Sequence, residues 1–179
     1  MELYALRWIN DNWHKRRKAN AFFKAITLLG ECGAFWFFVG FVLFCIPTTR
    51  NVSVAMYFSL GVCLAVVTSI KWSVRRSRPY QRSVDITMFV KGMGLKPIGP
   101  SFPSGHSATS VVCAAVVCLQ IGGAALPLVL IAVTIAFSRI FLCVHYTGDV
   151  FCGTVIGATV AAITRAYDLV PIIMRSLGI

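Results

Sequence analysis

Two histidines, an aspartate and a few cations stand where apolar runs of this chain meet its polar loops. Ser101-Phe102-Pro103-Ser104-Gly105-His106-Ser107 closes a polar loop and opens an apolar run. Pro103 suits the entry to a helix, having no N–H to leave unpaired and a φ already helical. Ser101 or Ser104 could cap that helix, and Gly105 lets backbone come close to a neighbour. Such a start offers free N–H groups and the positive end of a helix dipole to an anion, and His106 brings a titratable proton there. His145 and Asp149 are four residues apart and would face each other on a helical turn. A carboxylate on one ring nitrogen fixes the tautomer and frees the other nitrogen to attack. The same pair could instead be a satisfied contact between two helices. Arg139, near the end of an apolar run, needs an anion or water. Its fork fits a phosphate, or it snorkels to lipid headgroups.

A divalent metal finds few ligands. Only six acidic residues exist, Glu2, Asp11, Glu31, Asp85, Asp149 and Asp168, and a hard cation wants several oxygens. The seven cysteines form no CxxC pair and read as small apolar packers. His106 and His145 with Lys71, Arg78 and Arg139 therefore read as a metal-free, cofactor-free anion site.

The elements that must position these residues are apolar. The 179 residues are 58% hydrophobic and only 13% charged, with mean hydropathy +0.78, which predicts a multi-span helical membrane protein. The net charge of +11 suits anionic lipid headgroups. No nucleic-acid module accompanies it. Residues 1–18 predict an interfacial amphipathic helix with a basic end, and lack the apolar core of a cleavable signal. Apolar runs are expected at about 21–46, 52–70, 104–121, 125–143 and 150–170. In the first, Lys24 and Glu31 intervene. Glu31 lines the site or sits near headgroups if that span begins at Gly33. The polar stretch 71–104 reads as the site loop, with Ile86, Met88, Phe89 and Val90 as a short amphipathic piece. Gly153 and Gly157 form a small-xxx-small face for helix packing. Parity of the spans puts Lys71, Arg78, His106, His145 and Asp149 on one membrane face. The expected architecture is all-α: one domain over 1–179, a bundle of five to six transmembrane helices with an N-terminal amphipathic helix.

Lys71 with six residues before Arg78-Pro79, then Pro103-Ser104-Gly105-His106, then Ser138-Arg139 with five residues before His145 and three before Asp149, form an ordered set. This set closely resembles the three-part signature of the type 2 phosphatidic acid phosphatase family, itself related to vanadium haloperoxidases and bacterial acid phosphatases. The resemblance covers roughly residues 52–170. It implies His145 as the nucleophile that forms a phosphohistidine and Asp149 as its orienting group. His106 would be the proton donor to the leaving oxygen and the later base. Lys71, Arg78 and Arg139 would hold the phosphoryl oxygens, with hydrogen bonds from Ser104 and the Gly105 N–H. Arg75 and Arg76, at variable positions of the first motif, read as lipid-surface charges or contacts to a second phosphate.

The function expected is metal-independent hydrolysis of a lipid phosphate: phosphatidate, phosphatidylglycerophosphate or a polyprenyl diphosphate. The partners are the lipid substrate and the surrounding membrane lipids. Lipid-to-lipid phosphotransfer through the same site, and a non-enzymatic anion- or lipid-binding protein, are the alternatives. The basic loops point the site to the cytoplasm by the positive-inside rule, whereas the resemblance points to the outer or lumenal side; the compactness of the chain suits a bacterial inner or plasma membrane. The outer face is the expectation adopted.

Overall fold

A computed structural model describes residues 2–13, 16–30, 33–95 and 97–167. Glu31 and Asp168, which entered the sequence reading, lie outside the described residues, as do His14, Lys15, Cys32 and Lys96. The described chain forms α1 (Glu2–Trp13), α2 (Arg17–Leu29), α3 (Ala34–Cys45), α4 (Arg50–Val74), α5 (Val84–Gly92), α6 (Gly105–Ile121), α7 (Leu126–Phe141) and α8 (Thr147–Ala166). Short 3-10 turns lie at Pro47–Thr49, Pro79–Gln81 and Gly122–Ala125, and no strand occurs among the described residues.

The hub is α6, which packs along α8, α4 and α7. Its sequence is rich in small residues, and Ala108, Val112, Cys113, Ala114, Val116 and Val117 are all buried. In an apolar solvent, close approach and interhelical hydrogen bonds carry association, and both are present. Gly153 and Gly157 of α8 press on α6. A Cβ at Gly153 would stand 2.5 Å from the Ser104 carbonyl oxygen, and one at Gly157 would collide with that of Ala108. Trp36 Nε1 donates to Ser110 Oγ at 3.1 Å, Ser53 Oγ to the Gly40 carbonyl at 2.7 Å, and Ser59 Oγ meets Thr164 Oγ1 at 2.8 Å. These bonds tie α3 to α6, α4 to α3 and α4 to α8. The outer surface is apolar, with Phe37, Phe38, Phe41, Leu130, Val133 and Phe151 exposed.

Crossing a bilayer core takes about 30 Å of helix. At about 1.5 Å per residue, the 25 residues of α4 and the 20 of α8 suffice. The 17 and 16 residues of α6 and α7 are each a little short, and together with the turn between them make one apolar stretch, Gly105–Phe141. The run expected at 21–46 is not one straight helix: α2 and α3 are bent by 52°, with Gly33 at φ +68° starting the second piece. Among the described residues, three helical stretches are long and apolar enough to cross, four if the bent pair counts as one; length and composition alone do not establish the five to six spans expected. The protein is a multi-pass helical membrane protein.

A second core lies beside the main one. Leu6, Ile86, Val90, Phe141, Leu142, Cys143, Val144 and Tyr146 are buried in it. The α1 helix is therefore docked on protein as well as amphipathic: Leu6 is fully buried while Tyr4 and Trp8 point outward. The α5 helix turns Ile86 and Val90 inward and leaves Met88 exposed.

Candidate active site

The turn between α7 and α8 delivers His145. The Arg139 carbonyl accepts from the His145 N–H at 3.2 Å, fixing the turn to the end of α7. Asp149 stands in the first turn of α8, where a carboxylate is favoured by the helix dipole, and its Oδ2 accepts from the Tyr146 N–H at 3.0 Å. Both side chains are buried. His145 Nδ1 lies 3.6 Å from Asp149 Oδ2 and 3.4 Å from Ser101 Oγ. Its Nε2 lies 3.2 Å from Arg78 Nη1. A guanidinium only donates, so Nε2 is the acceptor nitrogen and the ring proton sits on Nδ1, toward Asp149 and Ser101. Burial pushes the His145 pKa down to about 3. Asp149 opposes that shift, and the Arg78, Arg139 and Lys71 charges reinforce it. The imidazole is neutral at neutral pH, with its lone pair toward a cation.

That cation is held rigidly. Arg78 donates from Nε to the Gly99 carbonyl at 2.9 Å, from Nη2 to the Ile98 carbonyl at 2.9 Å and from Nη1 to the Val144 carbonyl at 3.2 Å. Lys71, in the last turn of α4, donates to the Pro100 carbonyl at 2.9 Å. The loop before α6 is thus folded around the two cations of the first motif. The Lys71 stem passes alongside Gly105, 3.8 Å from where a Cβ would stand.

The α6 start follows the expected pattern. Pro103 lies just before the helix, at its entry. Ser104 is the cap, with Oγ accepting from the Ser107 N–H at 3.5 Å and from the Ser107 hydroxyl at 2.8 Å. The Ser104 N–H donates to the Asp149 carbonyl at 2.9 Å, joining two motifs through backbone. His106 packs against α2: a Cβ on Gly30 would stand 2.9 Å from His106 Cδ2. The charges of Arg139, His145, Arg78 and Lys71 all reach the His106 ring. Arg139 is buried rather than snorkelled to headgroups, and its Nη1 donates to Thr27 Oγ1 of α2. Lys71, Arg78, Ser104, Gly105, His106, Arg139, His145 and Asp149 therefore converge.

The PAP2 superfamily model matches residues 52–170. The chain belongs to the PAP2 superfamily. It is 41% identical over 102 residues to decaprenylphosphoryl-5-phosphoribose phosphatase of Mycobacterium tuberculosis (strain H37Rv), covering 57% of this chain and 53% of that one. It is 33% identical over 131 residues to the Mycolicibacterium smegmatis protein of the same name, covering 73% and 68%. The chain thus spans about half the length of the M. tuberculosis relative it matches. Among solved structures, Aquifex aeolicus LpxE superposes with a TM-score of 0.74 at 25% identity, covering 93% of this chain and 95% of that one. A transmembrane PAP2-type phosphatidylglycerolphosphate phosphatase from Bacillus subtilis superposes at 0.70, with 20% identity and coverage of 92% and 85%, a likeness of fold.

Four residues at this PAP2 site were not singled out for it by the sequence. Ser101 donates from its hydroxyl to Asp149 Oδ2 at 2.5 Å, where the sequence offered it as a helix cap. Arg76, expected as a lipid-surface charge or second-phosphate contact, instead donates to Asp149 Oδ1 at 2.7 Å. Thr27 lies on α2 and Gly30 directly follows it, both ahead of the PAP2 match. A polar or small residue in or beside an apolar helix gives no sign of its partner 112 or 76 positions away.

Proposed function

We propose that this PAP2 chain is a membrane phosphatase that removes a phosphoryl group from a lipid phosphate through a covalent intermediate on His145 Nε2, without a metal. The observation that carries this reading is the orientation of His145. A neutral, buried imidazole holds its lone pair toward the Arg78 guanidinium and its other nitrogen toward Asp149. In the first step Nε2 forms a bond to phosphorus and the bond from phosphorus to the lipid oxygen breaks, with His106 giving that oxygen a proton. In the second, neutral His106 takes a proton from water, whose oxygen attacks phosphorus. The P–N bond breaks, and inorganic phosphate leaves with His145 regenerated. Lys71, Arg78 and Arg139 hold the phosphoryl oxygens, and the α6 N-terminus adds N–H donors, supplying the charge stabilisation that phosphoryl transfer needs.

A polyprenyl-linked phosphate monoester is the substrate class favoured, because the 41%-identical relative is named for one. Phosphatidylglycerophosphate and phosphatidate are the glycerolipid competitors. The site is proposed to open on the outer face of a bacterial plasma membrane. Of the loop cations that the positive-inside rule would count, Arg76 and Arg82 are engaged by protein groups.

The test is phosphate release by detergent-purified protein from these three lipids, with and without EDTA. Free phosphate at an undiminished rate in EDTA is the expected result. Loss in EDTA that magnesium restores contradicts the metal-free step, and label passing to a second lipid replaces hydrolysis with phosphotransfer.

A further inference from the structure

Asp149 is fully buried, and a buried carboxylate needs its lone pairs filled and its charge balanced. Its Oδ2 takes the Ser101 hydroxyl and the Tyr146 N–H and faces His145. Its Oδ1 takes Arg76 Nη1 at 2.7 Å. Arg76 acts on the other oxygen as well: its main-chain carbonyl accepts from the Ser101 N–H at 2.8 Å, so it also places the serine that grips Oδ2. The guanidinium itself is clamped. It stacks 4.0 Å from the Tyr146 ring centroid, and its Nη2 donates to Glu2 Oε2 at 2.5 Å. Glu2 closes the circuit, since its Oε1 accepts from the Gly148 N–H in the first turn of α8 at 2.9 Å. Burial raises the Glu2 pKa, but the Arg76 and Gly148 hydrogen bonds and the Arg76 charge outweigh it and hold the carboxyl below its ordinary value. It is ionised at neutral pH.

We infer that Arg76, braced by Glu2 of the docked α1 helix, is a positioning residue that sets the plane of the Asp149 carboxylate and through it the tautomer and aim of His145. The inference rests on the phosphatase reading for its kinetic consequence, but not for its structural one. Arg76 does not touch the reacting atoms; it orients the group that orients the nucleophile. The α1 helix thereby becomes part of the catalytic frame. The bidentate fork is essential, because one arm serves Asp149 and the other Glu2.

The experiment combines kinetics with 15N NMR of histidine-labelled protein in detergent, for wild type, Arg76→Met, Arg76→Lys, Glu2→Gln and the Glu2→Gln/Arg76→Met double variant. Arg76→Met is expected to lower kcat by about 10- to 100-fold with KM within about twofold. Arg76→Lys, which keeps charge but not the fork, should recover only part. Glu2→Gln should cost about 3- to 10-fold, and the double variant no more than Arg76→Met alone, since the two act in series. The His145 ring should keep its proton on Nδ1 in wild type and lose that single tautomer in Arg76→Met. Unchanged kcat with an unchanged tautomer, a rise in KM alone, or additive losses would each overturn the inference. If Arg76→Met does not fold, Arg76→Lys and Glu2→Gln carry the same comparison. Wild-type protein that releases no phosphate from any of the three lipids, yet shows the tautomer change, would overturn the phosphatase reading and leave the positioning role standing.

Discussion

Arg75, Arg76 and Arg78 share a loop and a charge but take three environments. Arg75 adopts the left-handed conformation that ends α4, φ +48°, and folds its side chain back to the Trp72 carbonyl. That reversal points the next arginine inward to Asp149, and Arg78 beyond it to His145. At this scale the acid sensitivity of the protein can be derived. His145 has an ordinary pKa of 6.5 and a folded value of about 3. Between those values the unfolded chain binds a proton that the native protein does not, so stability falls as the pH drops from about 6.5 toward 3. Glu2, ionised in the fold below its ordinary 4.5, adds a loss of the same sign at lower pH. Thermal unfolding in detergent between pH 7 and pH 4.5 should show the midpoint falling, and falling less in His145→Gln. Equal slopes in the two proteins would contradict the burial of a neutral imidazole. Which residues would converge was legible here because His, Asp and the cations of the motifs are chemically distinctive at fixed spacing. Arg76 and Ser101 were not, because neither a second arginine in a basic loop nor a serine announces a partner 73 or 48 positions on.

Among the elements, the contact of α6 with α8 sets the site. The Ser104 turn carries one motif and Asp149 the other, and Gly153 lies under the Ser104 carbonyl with no room for a methyl group. Gly153→Ala should therefore push α8 away from the Ser104 turn. Overpacking of this kind costs about 1–3 kcal/mol, and phosphate release should fall by more than tenfold. Gly61→Ala in α4 is the control, since a Cβ there meets nothing within 4 Å. It should leave the unfolding midpoint unchanged or raise it slightly. A Gly153→Ala protein as stable and active as Gly61→Ala would contradict the packing argument. The Gly153-xxx-Gly157 face was visible in the sequence because small residues at that spacing permit close approach. The bend between α2 and α3 was harder to read, since the hydrophobicity of 21–46 continues across it. The second core was missed for a related reason: Leu6, Ile86 and Val144 come from three short segments whose apolar residues individually suit a membrane surface.

For the whole molecule, span parity in the sequence placed Lys71, Arg78, His106, His145 and Asp149 on one face, and the structure brings them together. The number of crossings was less legible, because helices of 16 and 17 residues joined by a short turn lie at the limit of what length alone distinguishes. The N-terminal third, which precedes the PAP2 match, contributes Glu2, Thr27 and Gly30 to the surroundings of the site. The proposed outer-face orientation predicts that Met88→Cys, exposed on α5, reacts in intact cells with a membrane-impermeant maleimide above the wild-type background. Reaction only after lysis would put the site on the cytoplasmic face. The most direct test of the central claim is a rapid-quench search for phosphorylated protein after mixing with 32P-labelled lipid phosphate. The account predicts an acid-labile, base-stable label mapping to His145, absent from His145→Ala and accumulating in a His106 variant with an activated substrate. Turnover at the normal rate by folded His145→Ala, or a label on any other residue, would contradict it.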